Sequence, residues 1–330
     1  MAFIYDRFGF QFEKKTLSTD YDKFFLIIKM PGRSTVEYPV FRTSEYPEEM
    51  YVDFINQRKI KCANVLMDDF SFLKKCPDLE MLCLYPSLQA ENHVSYEPVY
   101  GMEHLRMVQP QTVYSYDKCW TEFDCAKMKP ATSMEYFSGC CKKGVKNVAA
   151  LTGLKSLYLS YYKAEDLTEA VGSPQMDSMF LLRSGVQSLK GLERSKSLKV
   201  LRLSTCTKLN NIDALADAGE NLQGLVIESC SNIKDYSALS TLKSLRRLSI
   251  LGTGSIPSVS FINELHNLQA VMLGVNVLDG DLSCCDRMLH AYIRNRRHYN
   301  RSNDQFPKLT RPFSILGDEE IEAWRRNMIS

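Results

Sequence analysis

The feature that most constrains this chain is a motif that returns at nearly constant spacing through its second half. Leu198-x-x-Leu201-x-Leu203-x-x-Cys206 is followed by Leu222-x-x-Leu225-x-Ile227-x-x-Cys230, then Leu245-x-x-Leu248-x-Ile250-x-x-Thr253 and Leu268-x-x-Val271-x-Leu273-x-x-Asn276. The offsets are 24, 23 and 23 residues, with apolar residues at the first, fourth and sixth positions and a small polar or thiol residue at the ninth. Between motifs, apolar residues recur every three positions: Leu209, Ile212 and Leu215, then Ile233, Tyr236, Leu239 and Leu242, then Ile256, Val259, Ile262 and Leu265. No single unit of this size can bury its own apolar stripe, so the units must stack.

Alternation at the fourth and sixth positions puts both side chains on one side of a short strand. The ninth residue falls where the chain turns away, and its side chain can bond backbone groups of neighbouring coils. This pattern resembles the leucine-rich-repeat family, L-x-x-L-x-L-x-x-N/C-x-L. The spacing of three in the return segments is similar to the short-repeat subclass of internalins and of a phosphatase regulatory subunit, with 3₁₀-like turns. The resemblance implies an α/β solenoid: a curved parallel β-sheet on a concave face, short helical or 3₁₀ returns on the convex face, and atypical caps. It also implies ladder roles for Cys206 and Cys230 rather than reactive ones.

The phase extends backwards through Met176-x-x-Met179-x-Leu181 and Leu154-x-x-Leu157-x-Leu159 to Met134-x-x-Phe137-x-Gly139. Met102-x-x-Leu105-x-Met107 and Leu79-x-x-Leu82-x-Leu84 read as earlier copies, with an irregular stretch holding Tyr114, Tyr116, Trp120 and Phe123 after the former. One structural domain is expected, with an N-terminal cap over 1–60, the array over 61–285 (clearest at 134–282) and a C-terminal cap and tail over 286–330. In the first cap, strands at 24–30 and 35–41 around Pro31-Gly32-Arg33-Ser34, a helix at 47–58 and a strand from Ala63 to Met67 are expected. In the second, a strand from Met288 to Asn295 and a helix from Gly317 to Arg326 follow, with Ile321 and Trp324 facing the body.

In such a fold the residues flanking the fourth and sixth positions point outward. This places Tyr85, Arg106, Tyr136, Tyr158, Phe180, Leu182, Arg202, Glu228, Arg247 and Met272 on the concave face as candidate partner-binding residues. A slip of one residue would turn every one of them inward. Exposed aromatic residues and methionine beside arginine are the composition of protein-binding surfaces. A second feature is a basic cluster, Arg294, Arg296, Arg297 and Arg301, with His290, Tyr292, His298 and Tyr299 interleaved. It suits nucleic acid or an acidic protein, or a polar cap.

Composition narrows the function classes. Hydrophobic content of 45% and charged content of 24% suit a folded chain, and a net charge of +2 gives no global pull toward nucleic acid or membrane. No apolar run approaches the roughly 20 residues of a membrane span. Eleven scattered cysteines without a C-x-x-C pair, and an N-terminus without a secretory pattern, lead to the expectation of reduced thiols and a cytoplasmic chain. Five histidines form no H-x-x-x-H or H-E-x-x-H, and G-x-S-x-G, a Walker glycine loop and G-x-G-x-x-G do not occur. Neither metal nor cofactor is expected, and no enzymatic activity. The reading is a non-catalytic module binding a partner protein of unspecified identity and stoichiometry. The resemblance suggests a bacterial toxin-neutralising (immunity) or enzyme-regulating protein. The alternatives are a nucleic-acid binder working through the basic cluster, and a cell-surface adhesin.

Overall fold

The computed structural model describes residues 3–5, 10–17, 21–29, 46–86, 94–111, 114–115, 118–119, 122–141 and 144–308, in two units, Met1–Leu154 and Lys155–Ser330. The first opens with β1 (Phe3–Tyr5), β2 (Gln11–Leu17) and β3 (Tyr21–Lys29), successively antiparallel. On its other edge β3 bonds in parallel to β4 (Cys62–Leu66), followed by β5 (Met81–Leu84), β6 (Met107–Pro110) and β7 (Tyr136–Cys140). Helix α1 (Glu48–Arg58) has acidic residues in its first turn, a basic one in its last and a left-handed Lys59 as its cap, as the helix dipole favours. Phe54 of α1 stacks on Phe10 at a centroid distance of 3.9 Å.

Two sequence expectations change here. The hairpin partner of β3 is β2, which precedes it, whereas residues 31–41 lie outside the described residues. Glu13, Lys14 and Lys15 hid this strand, yet Glu13 is buried and accepts from Asn64 Nδ2 at 2.7 Å. The copy read as Met102-x-x-Leu105-x-Met107 is out of register by three residues. Met107 pairs with Met81 and Tyr136, and Val108 with Leu82 and Phe137, so the motif is Leu105-x-x-Val108-x-Pro110. Apolar residues at 102, 105, 107 and 108 fit both phases, and a proline at the sixth position disguised the correct one.

The second unit is more regular. Seven parallel strands follow in chain order: β8 (Ser156–Ser160), β9 (Ser178–Leu182), β10 (Val200–Ser204), β11 (Gly224–Glu228), β12 (Arg247–Leu251), β13 (Ala270–Leu273) and β14 (His290–Ile293). Their pairing keeps the fourth and sixth positions in columns, with Leu157, Met179, Leu201, Leu225, Leu248, Val271 and Ala291 in one. All are buried, as are the return-segment residues Leu209, Ile212, Leu215, Leu239, Leu242, Val259 and Ile262. The returns contain 3₁₀ turns, for example Ser237–Thr241 and Ser260–Glu264, the geometry that a spacing of three demands. Strand β14 lies in the segment assigned from sequence to the C-terminal cap; its motif, Met288-x-x-Ala291-x-Ile293, has the weak alanine at position four. The expected helix over 317–326, with Ile321 and Trp324, lies outside the described residues.

The first five strands of this unit are left through a residue with positive φ: Tyr161 (φ 56°), Arg183 (51°), Thr205 (57°), Ser229 (55°) and Gly252 (137°). Side chains other than glycine resist this conformation, β-branched ones most. Its recurrence has a local cause. The amides of Tyr161, Arg183, Thr205 and Ser229 still donate to the next strand, at 2.7–2.9 Å, while the chain swings the ninth residue inward. Cys206 and Cys230 fill that slot, and their thiols donate to the carbonyls of Leu181 and Ser204, and of Leu203 and Glu228. They are ladder thiols, as the resemblance implied.

Candidate functional site

The register of the second unit places Tyr158, Phe180, Leu182, Arg202, Glu228, Arg247 and Met272 on one strand face, all half-buried. Between them the face is floored by small residues. Ser156, Ser178, Ser204, Gly224, Ser249 and Ala270 are buried, and Ser178 Oγ donates to Ser156 Oγ at 2.8 Å. The larger side chains therefore stand on a low floor and support one another.

Tyr158 and Phe180, on adjacent strands, meet edge to face at 4.8 Å and 80°, the arrangement favoured by ring quadrupoles. Arg202, on the next strand, lies over the Phe180 ring with its guanidinium carbon 4.8 Å from the centroid. Its Nη2 is 3.3 Å from Glu228 Oε2, which also accepts from Ser204 Oγ at 3.0 Å. Four strands thus carry a continuous chain of contacts from Tyr158 to Glu228. Arg202 and Glu228 are more than a third exposed, so their ion pair adds little stability. What it does is hold both groups in place. Beside this chain, Arg183 donates to Tyr161 Oη at 2.7 Å. Such restraint lowers the entropy cost of binding through these groups.

Three sequence-predicted residues fall outside this face. Arg106 does not lie on a strand face at all, a consequence of the three-residue shift. It sits in the row just before the strands of the first unit, 2.8 Å from Glu135 and 3.7 Å from Glu80. Met107 takes the outward position instead. Tyr85 lies under the ammonium group of Lys15, 4.4 Å from its ring centroid, and both Tyr85 and Tyr136 pack on the buried cluster of Phe25, Cys62, Met81, Cys83 and Met107. Conversely, sequence reading left out Tyr292 of β14, 47% exposed on the second unit's face. Its pairing with the Met272 position follows once Met288-x-x-Ala291-x-Ile293 is counted as a copy.

The basic cluster is partly absorbed by the end of the fold. Arg287 donates to the carbonyls of Ile262, Leu265 and Leu268, and Arg301 binds Asp286 at 2.8 Å. Tyr299 accepts from the Val277 amide and Asn300 from the Leu282 amide. Arg294, Arg296 and Arg297 remain exposed.

Four buried thiols are poor nucleophiles. Burial pushes the thiols of Cys62 and Cys141 up to about 12 and those of Cys76 and Cys83 up to about 11, which keeps them protonated and weakly nucleophilic at neutral pH. Cys62, Cys76, Cys83, Cys125, Cys140, Cys141, Cys206, Cys230, Cys284 and Cys285 are free thiols. Among the described residues no three His, Cys, Asp or Glu side chains gather as a metal site, and no helix is long and apolar enough to cross a membrane.

Similarity to one solved structure agrees with the geometry. An internalin of Listeria monocytogenes aligns over 77% of this chain and 73% of its own length, with a TM-score of 0.53 and 15% identity. A leucine-rich-repeat protein of Leptospira interrogans aligns over 76% of this chain and 82% of its own, with a TM-score of 0.36 and 10% identity. No family model and no curated protein matches the sequence. The fold is that of the leucine-rich-repeat solenoids.

Proposed function

From that fold we propose that the protein is a non-catalytic interaction module that binds a partner protein through the strand face of residues 155–308. The observation that carries this is the chain of contacts Tyr158–Phe180–Arg202–Glu228, half-exposed over a floor of small residues. Aromatic and arginine side chains held rigid are the residues that dominate protein interfaces. Repeat arrays offer such faces as extended binding surfaces. The internalin-like fold supports a task of recognition, such as neutralising a toxin or regulating an enzyme, and the free thiols support a cytoplasmic setting for it.

The test is affinity capture of the tagged protein from its host beside a Phe180→Ala/Arg202→Ala variant of equal stability. One stoichiometric protein should copurify with the wild type and fall at least tenfold with the variant. Equal recovery by both would remove the strand face from the interaction.

A further inference from the structure

We infer that the partner presents an acidic surface to the second unit, with an apolar side chain seated against the Tyr158–Phe180 pair; this rests on the strand-face reading above. Charge in this unit is sorted by position. Of the fifteen carboxylates between residues 155 and 308, thirteen lie on the return segments and the C-terminal cap. The two exceptions are Asp177 and Glu228, and Glu228 is committed to Arg202 and Ser204.

Cations occur on the returns as well, but five of them, Lys155, Lys199, Arg202, Arg246 and Arg247, stand in front of or on the strand face, against those two carboxylates. The residues just before the strands form a row, since each amide donates to the carbonyl of the one before: Lys155, Asp177, Lys199, Gln223, Arg246 and Gln269. Three are cationic and one is acidic. Behind this row, Arg202 and Arg247 stand on the face itself, and Arg294 is exposed on the coil of β14. The equivalent row of the first unit shows what neutral design looks like. Lys61, Glu80, Arg106 and Glu135 alternate in sign and are bridged at 3.2, 3.7 and 2.8 Å. The second unit keeps that alternation over Lys155, Asp177 and Lys199 and loses it from Gln223 on, so its row and face together carry a surplus of positive charge that an acidic partner would complement.

Nucleic acid is also an anion, but the aromatic geometry disfavours it. Base stacking needs an open ring face. One face of Phe180 is under the Arg202 guanidinium, and Tyr158 stands against it at 80°.

A selection of random-sequence displayed peptides on the full chain reads the preference directly. Binders should be enriched in Asp and Glu around an aromatic or aliphatic anchor, and should compete with one another. Their affinity should fall at least tenfold with Arg246→Glu/Arg247→Glu and with Phe180→Ala, and fall between 50 and 300 mM salt. Oligo(dT) of equal charge should bind at least tenfold more weakly than they do. Binders that respond to Phe180→Ala but are neutral or basic would overturn the acidic partner and leave the strand face standing. Binders indifferent to both variants would overturn the strand-face reading itself. Tighter binding of oligo(dT), lost with Arg246→Glu/Arg247→Glu, would overturn the protein partner in favour of nucleic acid.

Discussion

The two units build the same strand face from different residues. In the first, Cys62, Met81, Cys83 and Met107 fill it and are buried, with Tyr85 and Tyr136 packed against them. Its front row is closed by ion pairs running from Lys61 to Glu135. In the second, small buried residues floor the face, large ones stand half-exposed, and the front row is unbalanced in charge. Both share the apolar fourth and sixth positions that hold the coils together. The units therefore differ at the positions that the repeat leaves unspecified: the first turns them to its own packing, and the second holds them toward solvent.

If the interiors are equivalent, comparable core truncations should cost comparable stability. Leu225→Ala in the second unit and Leu82→Ala in the first, each at a site at most 1% exposed, should each lose about 2–5 kcal/mol in urea unfolding. A loss much below that range at Leu82 would show that the first unit is looser and end the equivalence.

Alkaline pH should report on the buried strand face of the first unit. The Cys62 and Cys83 thiols sit at about 12 and 11 in the folded chain, against 9.0 for a free thiol, because burial disfavours the thiolate. The unfolded chain loses these protons first as pH rises, so this contribution is complete below pH 9 and is lost between 9 and 12. A pH series of urea midpoints should fall over that window, and Cys62→Ala/Cys83→Ala should flatten the fall. An unchanged slope in that variant would deny these thiols the role.

The smallest effect concerns the left-handed exits of the second unit. Thr205→Gly relieves a β-branched residue at φ 57°, a strain of about 1–2 kcal/mol partly offset by the entropy of glycine. Thermal unfolding should show a gain of up to about 1 kcal/mol. A loss would mean that the Thr205 side chain contributes more than its backbone costs.

Much of this was legible in the sequence, and unevenly. Where the spacing is 22–24 residues, fourfold repetition fixed the register, and Tyr158, Phe180, Leu182, Arg202, Glu228, Arg247 and Met272 all lie on the expected face. In the first unit the corresponding strand positions Cys62, Met81, Met107 and Tyr136 are 19, 26 and 29 residues apart, so no period disciplined the reading. There Leu105 and Met107 satisfied a wrong phase, and Arg106 was misplaced. Strand β2 was invisible because Glu13 and Lys15 are partnered by residues far along the chain, Asn64 and Tyr85. Contacts across that separation leave no local pattern.

The most direct measurement is hydroxyl-radical footprinting of the protein alone and with its captured partner. Tyr158, Phe180, Met272 and Tyr292 should lose labelling on binding, while the exposed Phe24 and Met50 of the first unit keep theirs. Protection of Phe24 and Met50, with the four residues of the second unit unchanged, would contradict the assignment of the binding face.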